Sequence, residues 1–237
     1  MSWTYLAPVA LLSLLITVYL AIGIRDSNLV LTVNAALSLG VALFPAVVEL
    51  LTDVIFDYYV GFGPEVHIWL AGAALIHTVG MYGLYESVWW WDHLAHTVSA
   101  TLVAGGVYAS LIVLEGHSGD ISLSLGAIAT LTVLLTFLLG VFWELLEVIT
   151  RDISKALGKE PMLVPYGRWD TMLDLAFDVF GAVIVIGLDL RLFVELASNH
   201  PEVNMWLAYL IVGLSTVGSL ALAGFILLYR TIGSPRD

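Results

Sequence analysis

Apolar runs of about 20 residues recur along this chain, and they constrain its fold more than any other feature. A helix of that length crosses the roughly 30 Å hydrocarbon core of a bilayer, whereas membrane strands are shorter and alternate apolar with polar residues. The sequence therefore predicts an all-α fold, a polytopic transmembrane helix bundle with about seven spans. The predicted spans are residues 5–24, 29–51, 66–85, 93–114, 121–149, 169–194 and 204–229.

Composition agrees with an integral membrane protein, because 60% of the residues are hydrophobic and only 12% are charged. The formal net charge is −12, which argues against nucleic acid as a partner because phosphate binding needs a basic patch. Cysteine is absent from the sequence, so disulfides and thiolate sites are excluded. We expect the lipid bilayer to be the main partner. The acidic, lysine-poor composition suggests a halophile.

The chain shows neither a linker nor an internal repeat, so residues 1–237 are expected to form a single integral membrane domain. No basic residue precedes the first apolar run, and we expect a retained span there rather than a cleaved signal. Basic residues are enriched in cytoplasmic connections, and with seven spans most of them fall on one side. This predicts a plasma-membrane protein with the N-terminus outside and the C-terminus and loop 150–168 in the cytoplasm. The residues on that side are Arg25, Arg151, Lys155, Lys159, Arg168, Arg230 and Arg236.

The sixth predicted span carries an acidic stripe. Asp170, Asp174 and Asp178 recur every four residues, so they share one face of a helix. Gly181 falls on the same face, where the missing side chain lets another helix come close. Because three carboxylates are costly in lipid, we expect the stripe to face the protein interior or a wet cavity.

Two further spans carry ionisable residues at the same predicted depth, in the cytoplasmic half. Asp92 and His96 are four residues apart at the start of the fourth span, and Glu144 and Glu147 are three apart at the end of the fifth. Carboxylates that converge in a low dielectric are either partly protonated or neutralised by a cation. This set suits a divalent metal such as Mg, Mn, Fe or Zn. The candidate ligands are Asp92, His96, Glu144, Glu147, Asp170, Asp174 and Asp178.

Taken singly, several of these residues have structural explanations. Helix capping accounts for Asp92 and Asp170, which lie at helix starts. An ion pair with Arg151 or Arg168 accounts for Glu144. The residues that lie deeper, and that these explanations do not cover, are Asp174, Asp178 and Glu147.

Other polar residues point less clearly to a site. His93 is turned about 60° away from His96 around the helix and is the weaker ligand candidate. His77 is alone on its helix, and a hydrogen-bonded core histidine explains it as well as a ligand does. Trp89–Trp91 are interpreted as an interfacial anchor. An exposed helix end is the favoured interpretation of a second acidic set, Glu49, Asp53 and Asp57.

Three segments resemble motif blocks of the YjdF-like inner-membrane proteins. They are WWWDHLAHTVSATLVAGG at 89–106, FWELLEVITRD at 142–152 and RWDTMLDLAFDVFGA at 168–182, and with the spans between them they cover residues 85–190. Ala100 departs from the glycine of that pattern. The resemblance implies a multi-pass fold with a shared polar site and no particular activity. A more distant resemblance to VanZ-like proteins implies a link to the cell envelope or to antibiotic tolerance.

The leading hypothesis is a cytoplasm-side site that binds a divalent cation and acts by hydrolysis or transfer on a lipid-like substrate. A metal-bound water would be the nucleophile, and the candidate catalytic residues are Glu147, as general base, and Asp174. One alternative is a proton- or cation-coupled transporter with Asp174, Asp178 and His96 as a relay. The other is a structural membrane scaffold. The sequence does not decide between an enzyme and these alternatives.

Overall fold

The computed structural model describes residues 6–57, 60–117, 122–156 and 168–233. Every regular element in these ranges is helical, which confirms the predicted all-α bundle. Much of the predicted loop 150–168, together with Lys159 and Arg236, lies outside the described residues. In chain order the helices are α1 Leu6–Arg25, α2 Leu29–Phe56, α3 Pro64–Val79, α4 Tyr85–Ser87, α5 Trp91–His117, α6 Leu125–Ala156, α7 Arg168–Gly187, α8 Val194–Asn199, α9 Pro201–Gly213 and α10 Ser219–Gly233, with π-helical turns at Gly80–Leu84 and Leu214–Gly218.

Six stretches of the described chain are long and apolar enough to cross a membrane. They agree with the first five predicted spans and the seventh, and they make this a multi-pass membrane protein. Helix α7 has 20 residues, but its three aspartates make it too polar to count among them, so its role as a further span stays a prediction. The six stretches are Leu6–Arg25, Leu29–Ile55, Pro64–Ser87, Trp91–Gly116, Leu125–Ile153 and Pro201–Tyr229.

Helix α7 ends earlier than the predicted boundary at residue 194. Asp189 adopts a left-handed conformation with φ 48°, and the backbone N–H of Leu190 donates to the carbonyl of Val185 at 2.9 Å, as in a helix C-cap. The hydroxyl of Tyr108 on α5 donates to Asp189 at 2.7 Å. This hydrogen bond lowers the pKa of the Asp189 carboxyl below its ordinary value.

Small residues hold the first three helices together. The buried core between α1, α2 and α3 contains four alanines besides Val9 and Ile16. Small side chains let membrane helices approach closely, and dispersion contacts then stabilise the pair. These helices form one group, while α5, α6 and α7 form a second group that carries the acidic stripe.

Helices α5 and α7 run parallel and pack closely at Gly181. A Cβ atom on Gly181 would lie 2.7 Å from the carbonyl oxygen of Thr97 and 2.9 Å from the Cβ atom of Ala100. The close approach predicted from Gly181 is therefore confirmed, with Ala100 in place of the glycine of the resembling pattern. It sets the spacing of the side chains on the facing surfaces of the two helices.

Glu49, at the end of α2, is not the exposed residue that the sequence suggested. It is 7% exposed, and its Oε1 atom accepts a hydrogen bond from the backbone N–H of Phe62 at 2.8 Å. Its Oε2 atom lies 3.4 Å from Nε2 of His67 on α3. The favoured interpretation was wrong for Glu49 because it considered α2 alone. After α2 the chain turns back into α3 and brings Phe62 and His67 against Glu49. Asp53 and Asp57 are exposed as expected.

Candidate functional site

His96 on α5 lies between aspartates of two helices. Its Nδ1 atom is 3.1 Å from Oδ1 of Asp178, and its Nε2 atom is 3.9 Å from Oδ1 of Asp174 and 4.0 Å from Oδ1 of Asp92. The parallel packing of α5 and α7 produces this arrangement, since the four-residue spacing on each helix presents matching faces. One ligand atom each from Asp92, His96 and Asp174 lies within 4.8 Å of the other two.

His93 also belongs to this cluster, although the sequence ranked it below His96. It is 9% exposed, and its Nδ1 atom lies 3.5 Å from Oδ1 of Asp174. Its ring stacks on Phe177 with centroids 4.5 Å apart. Asp174 therefore lies against both imidazoles. The signal in the sequence was the three-residue spacing of His93 and His96, which puts both on the side of α5 that faces α7.

Helix α6 brings Glu144 and Glu147 next to the cluster. Glu144 is 9% exposed and lies within hydrogen-bonding reach of Thr171. The indole N–H of Trp143 donates to Oε1 of Glu147 at 2.9 Å. Both glutamates interact electrostatically with His96. Within the described ranges no ion pair joins Glu144 to Arg151, so an ion pair with Arg151 does not explain why Glu144 is there.

The remaining two members of the acidic stripe occupy different positions. Asp170 is half-buried at the start of α7 and interacts electrostatically with Asp92 and Glu144. Asp178 is 6% exposed, and its carboxylate contacts the Cα side of Gly140 on α6, where a Cβ atom would have no room. The structure thus brings all seven sequence-predicted residues to one end of α5, α6 and α7.

Three buried atoms at this place lack hydrogen-bond partners among the described residues. They are Oε1 of Glu144, and Nδ1 of His93 and Oδ1 of Asp174, which face each other at 3.5 Å without a hydrogen bond. Buried polar atoms are nearly always paired, so atoms of this kind indicate a bound ion or water. The donors are oxygen and nitrogen only, a set that suits Mn, Fe, Zn or Mg.

Tyr85 is a neighbour of the site that the sequence did not reveal. Its hydroxyl lies 2.6 Å from Nδ1 of His77, so His77 is not alone as the sequence suggested. Tyr85 interacts electrostatically with Asp92 and Asp174. Gly80 makes room for the tyrosine ring, because a Cβ atom there would lie 2.5 Å from it. No signal in the sequence pointed to this contact, because residues eight apart on a regular α-helix lie about 12 Å apart along its axis. The π-helical turn at Gly80–Leu84, with Gly83 at φ 142°, brings the two side chains together.

The tryptophan run splits into two parts. Trp89 and Trp90 are exposed, at 81% and 45%, as expected for an interfacial anchor. Trp91 is half-buried, and its indole N–H donates to the carbonyl oxygen of Ile76 at 3.1 Å. It thereby ties the start of α5 to the end of α3, close to Asp92.

A family model described as "Predicted membrane protein (DUF2238)" matches residues 7–194. The chain belongs to this family. The DUF2238 match includes all seven candidate ligands and the three motif blocks, whereas α9 and α10 lie beyond it. No curated protein and no solved structure matches the chain. The predicted membership of a membrane-protein family is confirmed, while the YjdF-like and VanZ-like resemblances stay predictions.

Proposed function

We propose that this DUF2238 protein binds a divalent cation through Asp92, His96 and Asp174. The observation that carries the proposal is the convergence of three ligand atoms within 4.8 Å. The buried Oδ1 of Asp174 adds to it, since this atom has no assigned hydrogen bond and its contact with Nδ1 of His93 is long, at 3.5 Å. Asp178 faces Nδ1 of His96 and leaves Nε2 directed toward the other two ligands. Carboxylates behind metal-bound histidines fix the ring and its tautomer in this way.

The proposed chemistry is hydrolysis or group transfer on a lipid-like substrate. A divalent cation bound at this site supplies Lewis acidity and activates a water molecule. Glu147 is the candidate general base, and the indole of Trp143 holds its carboxylate in place. Asp174 is a ligand of the ion, and Asp170, Glu144 and His93 are further polar side chains around it.

The proposed location is the plasma membrane, with the N-terminus outside and the C-terminus in the cytoplasm. The basic residues of the α6–α7 connection support this orientation, since such residues are enriched on the cytoplasmic side. The site lies at the end of the bundle from which that connection leaves. Residues 1–237 are proposed to act as a single membrane domain, with the chemistry in 85–190.

The cation site is tested by titrating the purified protein with Mn²⁺. Loss of a residue that only orients a metal ligand costs about 10- to 100-fold in affinity, so we expect Asp174→Asn, which removes a ligand, to weaken binding by about 100-fold or more. Asp53→Asn is the matched control, because Asp53 is exposed at the far end of α2. Wild-type affinity in a folded Asp174→Asn protein, or no binding in wild type, would contradict the proposal.

The second candidate is a proton- or cation-coupled transporter. The observation in its favour is the buried pair of Glu49 and His67, at the opposite end of α3 from His77. Ionisable groups inside the membrane commonly mark such pathways. A transporter predicts pH-driven proton flux into liposomes that Asp174→Asn abolishes, without tight Mn²⁺ binding. A third candidate, a structural scaffold, predicts that Asp174→Asn mainly lowers thermal stability.

A further inference from the structure

An apolar groove of about 610 Å³ runs between α6 and α7. This volume lies within the range of about 300–1,000 Å³ typical of ligand pockets. Thr130 is the polar residue on its lining, and its hydroxyl already donates to the carbonyl of Gly126 at 2.8 Å. The walls are formed mainly by Ala129, Val133 and Phe137 on α6 and by Val179, Val183 and Ile186 on α7.

One end of the groove adjoins the carboxylate–histidine cluster, which consists of Asp92, His93, His96, Asp174 and Asp178. Phe137 lies three residues before Gly140 and seven before Glu144, so the groove and these two residues share one face of α6. On α7, Val179 directly follows Asp178. The Asp178 carboxylate and Leu175 pack against Gly140, about one helical turn beyond Phe137. A molecule lying in the groove therefore ends next to Asp178.

The surroundings and dimensions of the groove favour a hydrocarbon chain. One of its walls is α6, which is apolar enough to cross a membrane, and the solvent of such a helix surface is lipid. From Glu144 to Ala129 the helix rises by about 22 Å. That exceeds half of the roughly 30 Å hydrocarbon core, so a chain that starts at the cluster and fills the groove passes the midplane.

We propose that the groove binds one long hydrocarbon chain of a membrane lipid, with the polar head of that lipid at the carboxylate–histidine cluster. This inference rests on the proposed function and names its substrate class. Because the lining is almost wholly apolar, it favours a hydrocarbon chain over a polar group, and the length of the chain sets how far along the groove it reaches. The polar head is selected by the cluster.

The test uses two photoactivatable alcohols, octadecanol and decanol, each with a diazirine at the end of its chain. With the protein in nanodiscs, octadecanol is expected to label the far end of the groove, near Ala129 and Ile186. Decanol is expected to label the near end, around Phe137 and Val179. Labelling that is spread evenly over exposed helices, or that shows no difference between the two chain lengths, would overturn the proposal.

A groove-filling variant supplies the matched comparison. Val183→Trp is expected to lower octadecanol labelling of α6 and α7 by about tenfold, since an indole occupies the space of the chain. Val212→Trp on α9 is the control, because Val212 and Val183 are similarly exposed, at 47% and 50%. Equal labelling in both variants would overturn the proposal, as would a cross-link to a second copy of the chain across the groove.

Mn²⁺ titration of the same samples separates this inference from the proposed function. Val183→Trp is expected to keep wild-type Mn²⁺ affinity, because Val183 lies outside the cluster. Mn²⁺ binding without chain-length-dependent labelling would contradict the groove inference and still support the cation site. Chain-length-dependent labelling without Mn²⁺ binding would support the groove inference and contradict the proposed cation site.

Discussion

His96 is the residue on which the geometry of the site depends most, because its two ring nitrogens face different carboxylates. Asp178 lies on the Nδ1 side, while Asp92 and Asp174 lie on the Nε2 side. A carboxylate at Nδ1 fixes which nitrogen carries the proton and raises the basicity of the other. We therefore infer that Asp178 orients His96 and that it is not itself a ligand.

Replacing Asp178 by asparagine tests this difference in role. Asp178→Asn keeps the shape of the side chain against Gly140 but removes its charge. We expect Mn²⁺ affinity to fall by about 10- to 100-fold, less than in Asp174→Asn, as is usual for residues behind a metal ligand. Titration calorimetry measures the two variants side by side.

Glu86→Gln is the control for Asp178→Asn, because Glu86 is an exposed carboxylate of α4 near the site. It changes the net charge by the same amount without touching the cluster. If Asp178→Asn bound Mn²⁺ as tightly as Glu86→Gln does, the orienting role would be wrong. If it bound as weakly as Asp174→Asn does, Asp178 would be a ligand.

Regular spacing made most of the candidate site residues predictable from sequence. The four-residue intervals of Asp92 and His96, and of the stripe on α7, are visible without any tertiary information. His93 was ranked too low because the ranking considered α5 alone, whereas Asp174 reaches it from α7. Tyr85 was missed for the same kind of reason, since its contact with His77 depends on the π-helical turn between them.

At the scale of helices, the contact between α5 and α7 sets the positions of the ligands. The backbone of α5 leaves no room for a side chain at Gly181. His96 and Asp178 lie about one turn away from this contact, each on its own helix. A change in helix spacing at Gly181 therefore changes the distances within the cluster.

Gly181→Ala is expected to destabilise the protein. The added methyl group meets backbone atoms of Thr97 and Thr101, which cannot rotate away, and overpacking of this kind costs about 1–3 kcal/mol. A lower Tm in detergent, together with weaker Mn²⁺ binding, is the expected result.

Gly106→Ala is the control for Gly181→Ala, because a Cβ atom at Gly106 on α5 meets nothing within 4 Å. Alanine also favours a helix over glycine by roughly 0.5–1 kcal/mol, so this variant should be at least as stable as wild type. Equal Tm values for the two alanine variants would show that the helices at Gly181 are not closely packed.

Helix ends and chain reversals were less predictable than the helices themselves. Hydropathy predicts where a long apolar helix lies, but it does not predict at which residue a turn ends that helix. Asp189 ends α7 by adopting a left-handed conformation, which the sequence pattern did not indicate. Glu49 was misinterpreted because its partners, Phe62 and His67, follow the chain reversal after α2.

For the whole molecule, the all-α membrane fold followed from length and hydropathy, but the pairing of helices did not. Apolar surface alone does not decide which membrane helices pack together, because lipid is as apolar as the side chains. The parallel contact of α5 with α7 and the division into α1–α3 and α5–α7 required the structure. The polar stripe did indicate that α7 faces other helices, since carboxylates avoid lipid.

Anomalous diffraction at the manganese edge, from crystals of the protein loaded with Mn²⁺, locates the ion itself. We expect a peak within coordinating distance of Asp92, Nε2 of His96 and Asp174. We also expect that peak to be absent from Asp174→Asn crystals grown in the same way. No peak at this cluster, or peaks at exposed acidic residues alone, would contradict the proposed cation site.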